Sequence, residues 1–196
     1  ADLSTGVVSA IPCPDQPHSV AVVPGGAKAV VTHFLAARQI SVVDVPARSI
    51  SSSIVTTADL MGPVAVNPAG TLAVVAIQNF CRVIDLATGV ASADLATNSV
   101  DRIWTTADGN YALCAGFRGS LISYATKAIV KDLNNFVFCT QGAVSPVGTR
   151  AAQFSDVFGE DMVVMDTNGA AGSLLSSGPS GPTPEGDRCR SIALSL

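Results

Sequence analysis

Val64-Ala65-Val66-Asn67-Pro68-Ala69-Gly70 is a short strand running into a tight turn, and the chain repeats the phrase four times. The other copies are Val20-Ala21-Val22-Val23-Pro24-Gly25-Gly26, Ile103-Trp104-Thr105-Thr106-Ala107-Asp108-Gly109 and Gly142-Ala143-Val144-Ser145-Pro146-Val147-Gly148. Their turn residues Pro24, Pro68, Ala107 and Pro146 stand about 40 residues apart. That interval, with strand-like content, belongs to a repeated β unit.

Outward from the turn each copy continues in the same way. A second apolar run follows at residues 29–32, 72–77, 111–115 and 150–154. After a polar or aromatic loop, a third run ends at Asp44, Asp85, Tyr124 or Asp166. A small-residue turn such as Leu86-Ala87-Thr88-Gly89 then leads to a shorter fourth strand. No segment carries a helical 3.6-residue period. Four short strands per unit predict an all-β chain of β-propeller blades: residues 18–56, 62–96, 100–134 and 140–176 are four complete blades. Asp2-Leu3-Ser4-Thr5-Gly6-Val7 matches Asp85-Leu86-Ala87-Thr88-Gly89-Val90, so residues 1–11 read as the outer strand of a preceding blade. Ser191-Ile192-Ala193-Leu194-Ser195 matches Ser19-Val20-Ala21-Val22-Val23, so residues 189–196 read as the inner strand of a following one. The expectation is a partial ring, of the seven-bladed kind, completed by missing blades or a second polypeptide. The Ser-, Gly- and Pro-rich stretch 176–186 reads as a long loop.

Composition agrees with strands covered on both faces. Apolar residues make up 48 % and charged ones 13 % of 196 residues, and the apolar ones come in short bursts. No run approaches the ~18 apolar residues of a membrane-spanning helix. Net charge is −4 with no basic stripe, which argues against nucleic-acid binding. Five cysteines, Cys13, Cys81, Cys114, Cys139 and Cys189, form no Cys-x-x-Cys pair and read as buried or loop thiols. The alternative is one disulfide, joining Cys139 to Cys189 or to Cys13.

Inner strand, Pro-x-Gly turn, valine-rich second strand and Val83-Ile84-Asp85-Leu86-Ala87-Thr88-Gly89 together resemble the YVTN-type β-propeller repeat. That family includes surface-layer proteins and is similar in fold to lactonases and to quinoprotein and haem d1 enzymes. The resemblance covers nearly the whole chain and rests on structural residues, so it implies a fold and not a reaction. Two departures stand out: Trp104 where the other copies have Ala, and Tyr124 where they have Asp.

In this topology the approach to each inner strand and the loop between the second and third strands share one face, around the channel mouth. Candidate binding residues there are His18, His33, Asp101, Arg102, Arg118, Gln141, Asp156 and Arg190. The Asp101-Arg102 pair, with Arg118 and Arg190, suits an anionic group, because guanidinium forks match carboxylates. Phe34, Phe80, Phe117 and Phe158, one per blade, could form an aromatic rim or plug the gaps between blades. Asp44, Asp85 and Asp166 read as turn-forming side chains rather than calcium ligands. There is no metal-ligand spacing, no Gly-x-Ser-x-Gly and no phosphate loop, so neither a cofactor nor a catalytic residue is assigned. The expectation is a non-enzymatic, extracytoplasmic module that binds a protein or glycan. The alternative is a lactonase-like or quinoprotein-like enzyme holding a small anionic substrate among His18, Asp101, Arg102 and Arg118.

Overall fold

The structure, a computed structural model, describes residues 6–34, 39–56, 61–137, 139–144, 150–155, 161–166 and 173–179. These residues form four antiparallel sheets of four strands each, and there is no helix among them. The first sheet pairs β1 (Pro17–Val22), β2 (Lys28–His33), β3 (Gln39–Asp44) and β4 (Ser49–Val55) in chain order. The second pairs β5 (Met61–Val66), β6 (Leu72–Ile77), β7 (Phe80–Asp85) and β8 (Leu95–Ala96). The third holds β9 (Val100–Thr105), β10 (Tyr111–Gly116), β11 (Arg118–Ser123) and β12 (Ala128–Val137), and the fourth β13 (Cys139–Val144), β14 (Arg150–Ser155), β15 (Asp161–Asp166) and β16 (Ser173–Pro179).

In the first three sheets the repeated phrase forms the first hairpin. Gly26, Gly70 and Gly109 adopt φ of 73°, 71° and 73°, and their amides donate to the carbonyls of Val23, Asn67 and Thr106. Only a residue without Cβ takes that backbone at no steric cost. Space adds a second reason, since a Cβ on Gly70 would lie 2.9 Å from Val23 and one on Gly109 3.2 Å from Pro68. The turns of the second and third sheets therefore lean on the turn of the sheet before. In the second copy the Asn67 side chain tightens the hairpin by accepting from the Thr71 and Leu72 amides.

Because strand side chains alternate, the sheets can be apolar on both faces. On β6, Ala73, Val75 and Ile77 pack toward the first sheet with Val30, Ile40, Val42 and Ile54. Val74 and Ala76 point the other way, to Val100, Ala112, Cys114, Ile122 and Tyr124 of the third sheet. Leu113 and Leu121 continue the stack, packing with Trp104 and with Val144 of the fourth sheet. A cross-sheet hydrogen bond, from the Thr32 hydroxyl to the Gly62 carbonyl at 2.8 Å, ties the first two sheets. The inner strands β1, β5, β9 and β13 lie side by side in succession. This face-to-face succession is consistent with β-propeller-like blades.

The turn after the third strand corrects one residue of the sequence alignment. Asp44 accepts from the Ala47 amide, and Asp85 from the amides of Ala87 and Thr88. In the third sheet that part is played by Ser123, which accepts from Thr126 at 3.3 Å, and not by Tyr124. The backbone shows the same frame, since the amides of Val45, Leu86 and Tyr124 donate to Ala27, Thr71 and Asn110 respectively. Arg48, Gly89 and Lys127 close the equivalent turns with φ of 55°, 73° and 52°. Tyr124 thus replaces Leu86, not Asp85, and is buried.

Burial has a consequence for alkaline stability. Desolvation pushes the Tyr124 phenol well above its ordinary value of 10.0, although its hydroxyl pairs with Thr105 at 2.8 Å. The folded protein holds the phenol neutral while the unfolded chain ionises it. This share of stability is therefore intact below pH 10 and declines as pH rises beyond it. Urea unfolding at pH 8 to 11 should show a shallower alkaline loss for Tyr124→Phe than for the wild type. At pH 8 the variant should be about 1 kcal/mol less stable, for want of the Thr105 hydrogen bond.

Two outer strands differ from expectation. Residues 176–179 are not loop: Ser176, Ser177, Gly178 and Pro179 pair with Val164, Val163, Met162 and Asp161. An edge strand needs only backbone partners, so Ser, Gly and Pro are tolerated there. In the second sheet the outer strand is interrupted. Ala91 bridges Ile84, and β8 resumes only at Leu95. Between them Asp94 meets the Arg82 guanidinium at 2.6 Å. Residues 6–16 lie outside any ladder among the described residues, with Ile11 packed against the cluster of Ala29, Val31 and Val43. The expected strand at 189–196 lies outside the described residues.

Candidate functional site

Every inner strand carries the same irregularity, six residues before its turn residue. In β1 the pairs Pro17–His33 and Ser19–Thr32 leave His18 as an extra residue. In β9 the pairs Val100–Gly116 and Arg102–Ala115 leave Asp101. In β13 the pairs Cys139–Ser155 and Gln141–Phe154 leave Thr140. In β5 the residues between Met61 and Val64, Gly62 and Pro63, face one residue between Val75 and Ile77. A bulge turns side chains out of the alternating pattern and re-aims them. Polar residues can therefore sit at the leading end of a strand whose remainder is apolar.

Local hydrogen bonds hold these ends in place. The Phe34 amide donates to Gln16, Phe117 to Ser99, and both Thr97 and Asn98 to Asn79. Each bond ties a second-to-third-strand loop to the approach of an inner strand, so the two kinds of loop converge on one face.

The bulges of three sheets open on a cleft of about 480 Å³ between the inner strands. Ser19, Asp101 and Arg102 supply its polar groups; Pro63, Val64, Ile103 and Trp104 supply the apolar wall. Asp101 and Arg102 are exposed, while Trp104 is half-buried against the third and fourth sheets. A carboxylate beside a guanidinium offers both an acceptor and a planar donor fork, and an indole beside them offers a flat apolar face. That set suits a ligand carrying hydroxyl or amide groups on an apolar frame.

The remaining expected residues are placed elsewhere. His18 is exposed and stacks on Phe34, with ring centroids 5.8 Å apart and planes 20° apart. It faces a different groove, of about 400 Å³, on the outer face of the first sheet. His33 is not at an open surface. It is 2 % exposed, its Nε2 lies 2.8 Å from the Ser41 hydroxyl and its Nδ1 3.3 Å from the Asp15 carbonyl. With Nδ1 donating and Nε2 accepting, the ring ties the approach segment to β3. Arg118 is partly buried at the start of β11 and lines neither groove. The backbone of Gln141 is in β13, its side chain lying outside the described residues, as do Asp156 and Arg190 altogether. Of the phenylalanines, Phe34 and Phe117 are 38 % and 40 % exposed. Phe80 instead packs against the core between the first two sheets, under the Arg82 guanidinium at 5.3 Å. Phe158 lies outside the described residues. Among the described residues no three of His, Cys, Asp and Glu are grouped so as to hold a metal ion.

Ser19, Pro63, Val64, Ile103 and Trp104 are the cleft residues that the candidate set lacked. Trp104 did signal itself, as the only tryptophan in the chain and as a break from the alanines of Ala21, Ala65 and Ala143. Pro63 carried no such mark.

Among solved structures the chain is similar to Kuenenia stuttgartiensis hydrazine synthase, with a TM-score of 0.64 and 19 % identity. The match covers 84 % of this chain and 54 % of that one, so this chain spans about half the length of its neighbour. At that identity the likeness speaks to fold alone. No protein-family model matches, and no curated protein matches.

Proposed function

We propose that this chain is part of a β-propeller, a non-enzymatic module of the YVTN-like kind that binds a protein or glycan outside the cytoplasm through its channel-mouth face. The observation that carries the reading is the cleft at the leading ends of β1, β5 and β9, where Asp101 and Arg102 stand beside Trp104. A cleft of a few hundred Å³ on which several polar groups converge can hold a ligand, and this one is polar over most of its exposed lining, which suits a hydroxyl- or amide-bearing ligand. The test is a glycan and peptide array, followed by titration of the best ligand. Arg102→Ala and Asp101→Asn should each weaken it tenfold or more while leaving the melting temperature within 2 °C of wild type, the change expected for exposed side chains. Unaltered affinity in both variants would remove the cleft from the reading.

A second part of the proposal concerns the ring. Val64, Val66, Ala73 and Val75 of the second sheet pack against the first. Their counterparts in the repeat, Val20, Val22, Ala29 and Val31, face the other way, and Val20 and Val22 are 62 % and 63 % exposed. Val20, Ala29 and Val31 line the 400 Å³ groove with Ile11, Val43 and Val45. By this equivalence the occupant is another blade of the same repeat, on this polypeptide or on a second one. Native mass measurement of the purified assembly tests it; a folded, monomeric species of this chain alone would contradict it.

A further inference from the structure

Cys81 and Cys114 come from different sheets and meet in the core. Cys81 is on β7, Cys114 on β10, 33 residues further along the chain, and both are fully buried. Their sulfurs are 3.9 Å apart, and the Thr97 hydroxyl lies 3.4 Å from the Cys81 sulfur. Val74, Ala76, Val83, Ala112 and Ile122 surround them. A disulfide requires sulfurs about 2.05 Å apart, so each sulfur has about 1 Å to travel.

We propose that Cys81 and Cys114 are a modification site: in an oxidising compartment they form a disulfide that staples the second sheet to the third. The step is thiol–disulfide exchange with a small-molecule disulfide such as oxidised glutathione. One cysteine thiolate attacks it, forming a mixed disulfide and expelling one thiolate. The second cysteine thiolate attacks the protein sulfur of that mixed disulfide, forming the Cys81–Cys114 bond and expelling the other. Two protein thiols are oxidised, one small disulfide is reduced, and the two cysteine protons end on the two released thiols.

Timing follows from burial. Neither sulfur is reachable in the folded chain, and the hydrogen bond with Cys81, together with desolvation, pushes the Cys114 thiol above its ordinary value. The nucleophile is the thiolate. Exchange therefore takes place while the two sheets are still coming together, and reduced protein that has already folded is inert to the same oxidant.

The test refolds reduced, denatured protein in a glutathione redox buffer or in excess reductant. Each sample is then denatured, alkylated without reductant, digested and analysed by mass spectrometry. The expected result in the redox buffer is a peptide pair joined through Cys81 and Cys114, two hydrogens lighter than the free peptides. Its melting temperature should exceed that of the reduced sample by about 10 °C, the scale expected for closing a loop of this length. The difference should vanish in Cys81→Ala/Cys114→Ala. Adding oxidised glutathione to folded, reduced protein should leave both thiols open to later alkylation. If refolding is incomplete, the same mapping is made on protein produced directly in an oxidising secretory compartment. Natively folded protein from either source with both cysteines alkylated, or linked to Cys13, Cys139 or Cys189, would overturn the proposal.

Discussion

Ile77→Ala should lower stability by about 3–4 kcal/mol, a fall of roughly 10 °C in melting temperature for a chain of this size. Ile77 ends β6 with no exposed surface, in the cluster that contains Val30, Ile40, Val64, Val75 and Ile84. The substitution removes three carbons. At about 0.8 kcal/mol per buried methylene, transfer alone accounts for roughly 2.4 kcal/mol. The rest comes from the cavity, because the strands around Ile77 are held by ladders to Met61 and Phe80 and cannot collapse into the space. Val55→Ala is the control: its side chain is 81 % exposed on the edge strand β4, and its loss should stay within about 0.5 kcal/mol. Urea unfolding of both variants checks the pair. Equal losses would mean that the faces between sheets do not carry the stability.

The contrast between those two positions is legible in the sequence. Leu72–Ile77 is apolar without a break, which only a strand covered on both faces requires, while β4 reads Ser49-Ile50-Ser51-Ser52-Ser53-Ile54-Val55. Period, turn and number of strands per unit were legible for the same reason: each is set by residues adjacent in sequence. What stayed hidden depends on registration between strands. Ser123 and Tyr124 are neighbours, and a tyrosine after a strand looks as good a terminus as the serine; the pairing of Ser123 with Tyr111 and the Tyr124 to Asn110 hydrogen bond fix the frame. The bulge pairs His18-Ser19, Gly62-Pro63, Asp101-Arg102 and Thr140-Gln141 are equally invisible, because an extra residue shows only against its partner strand. His33 is polar but lies in the core, not in the loop. It is the repeat counterpart of Ile77, and it can occupy that buried place because Ser41 and Asp15 satisfy both ring nitrogens. The cleft was thus half legible: Asp101 and Arg102 announced themselves by charge, and Pro63 did not.

Gly116→Val should cost about 3 kcal/mol and disable the cleft together with the fold around it. Gly116 ends β10, and a Cβ there would fall on the carbonyl of Ser99 and crowd the Val100 backbone. That carbonyl is not free to retreat. It accepts from the Phe117 amide, and Asn98 and Ser99 are held at φ of 51° and 45° with Asn98 donating to Asn79. Overpacking against fixed backbone costs typically 1–3 kcal/mol and sometimes more, and here the Phe117 to Ser99 hydrogen bond is broken as well. Ser99 also leads directly into the bulge at Asp101, so any shift that admits valine turns Asp101 and Arg102 away from Trp104. Binding at the cleft should accordingly fall more than tenfold even at temperatures where the variant remains folded. Gly89→Ala separates sterics from backbone conformation. Gly89 has φ of 73° but its added Cβ would meet only Ile54 at 3.6 Å, so it should lose about 1 kcal/mol and keep full binding. Thermal melts with ligand titration distinguish the two, and a Gly116→Val protein that matched Gly89→Ala in both would show that the Ser99 carbonyl does not position the bulge.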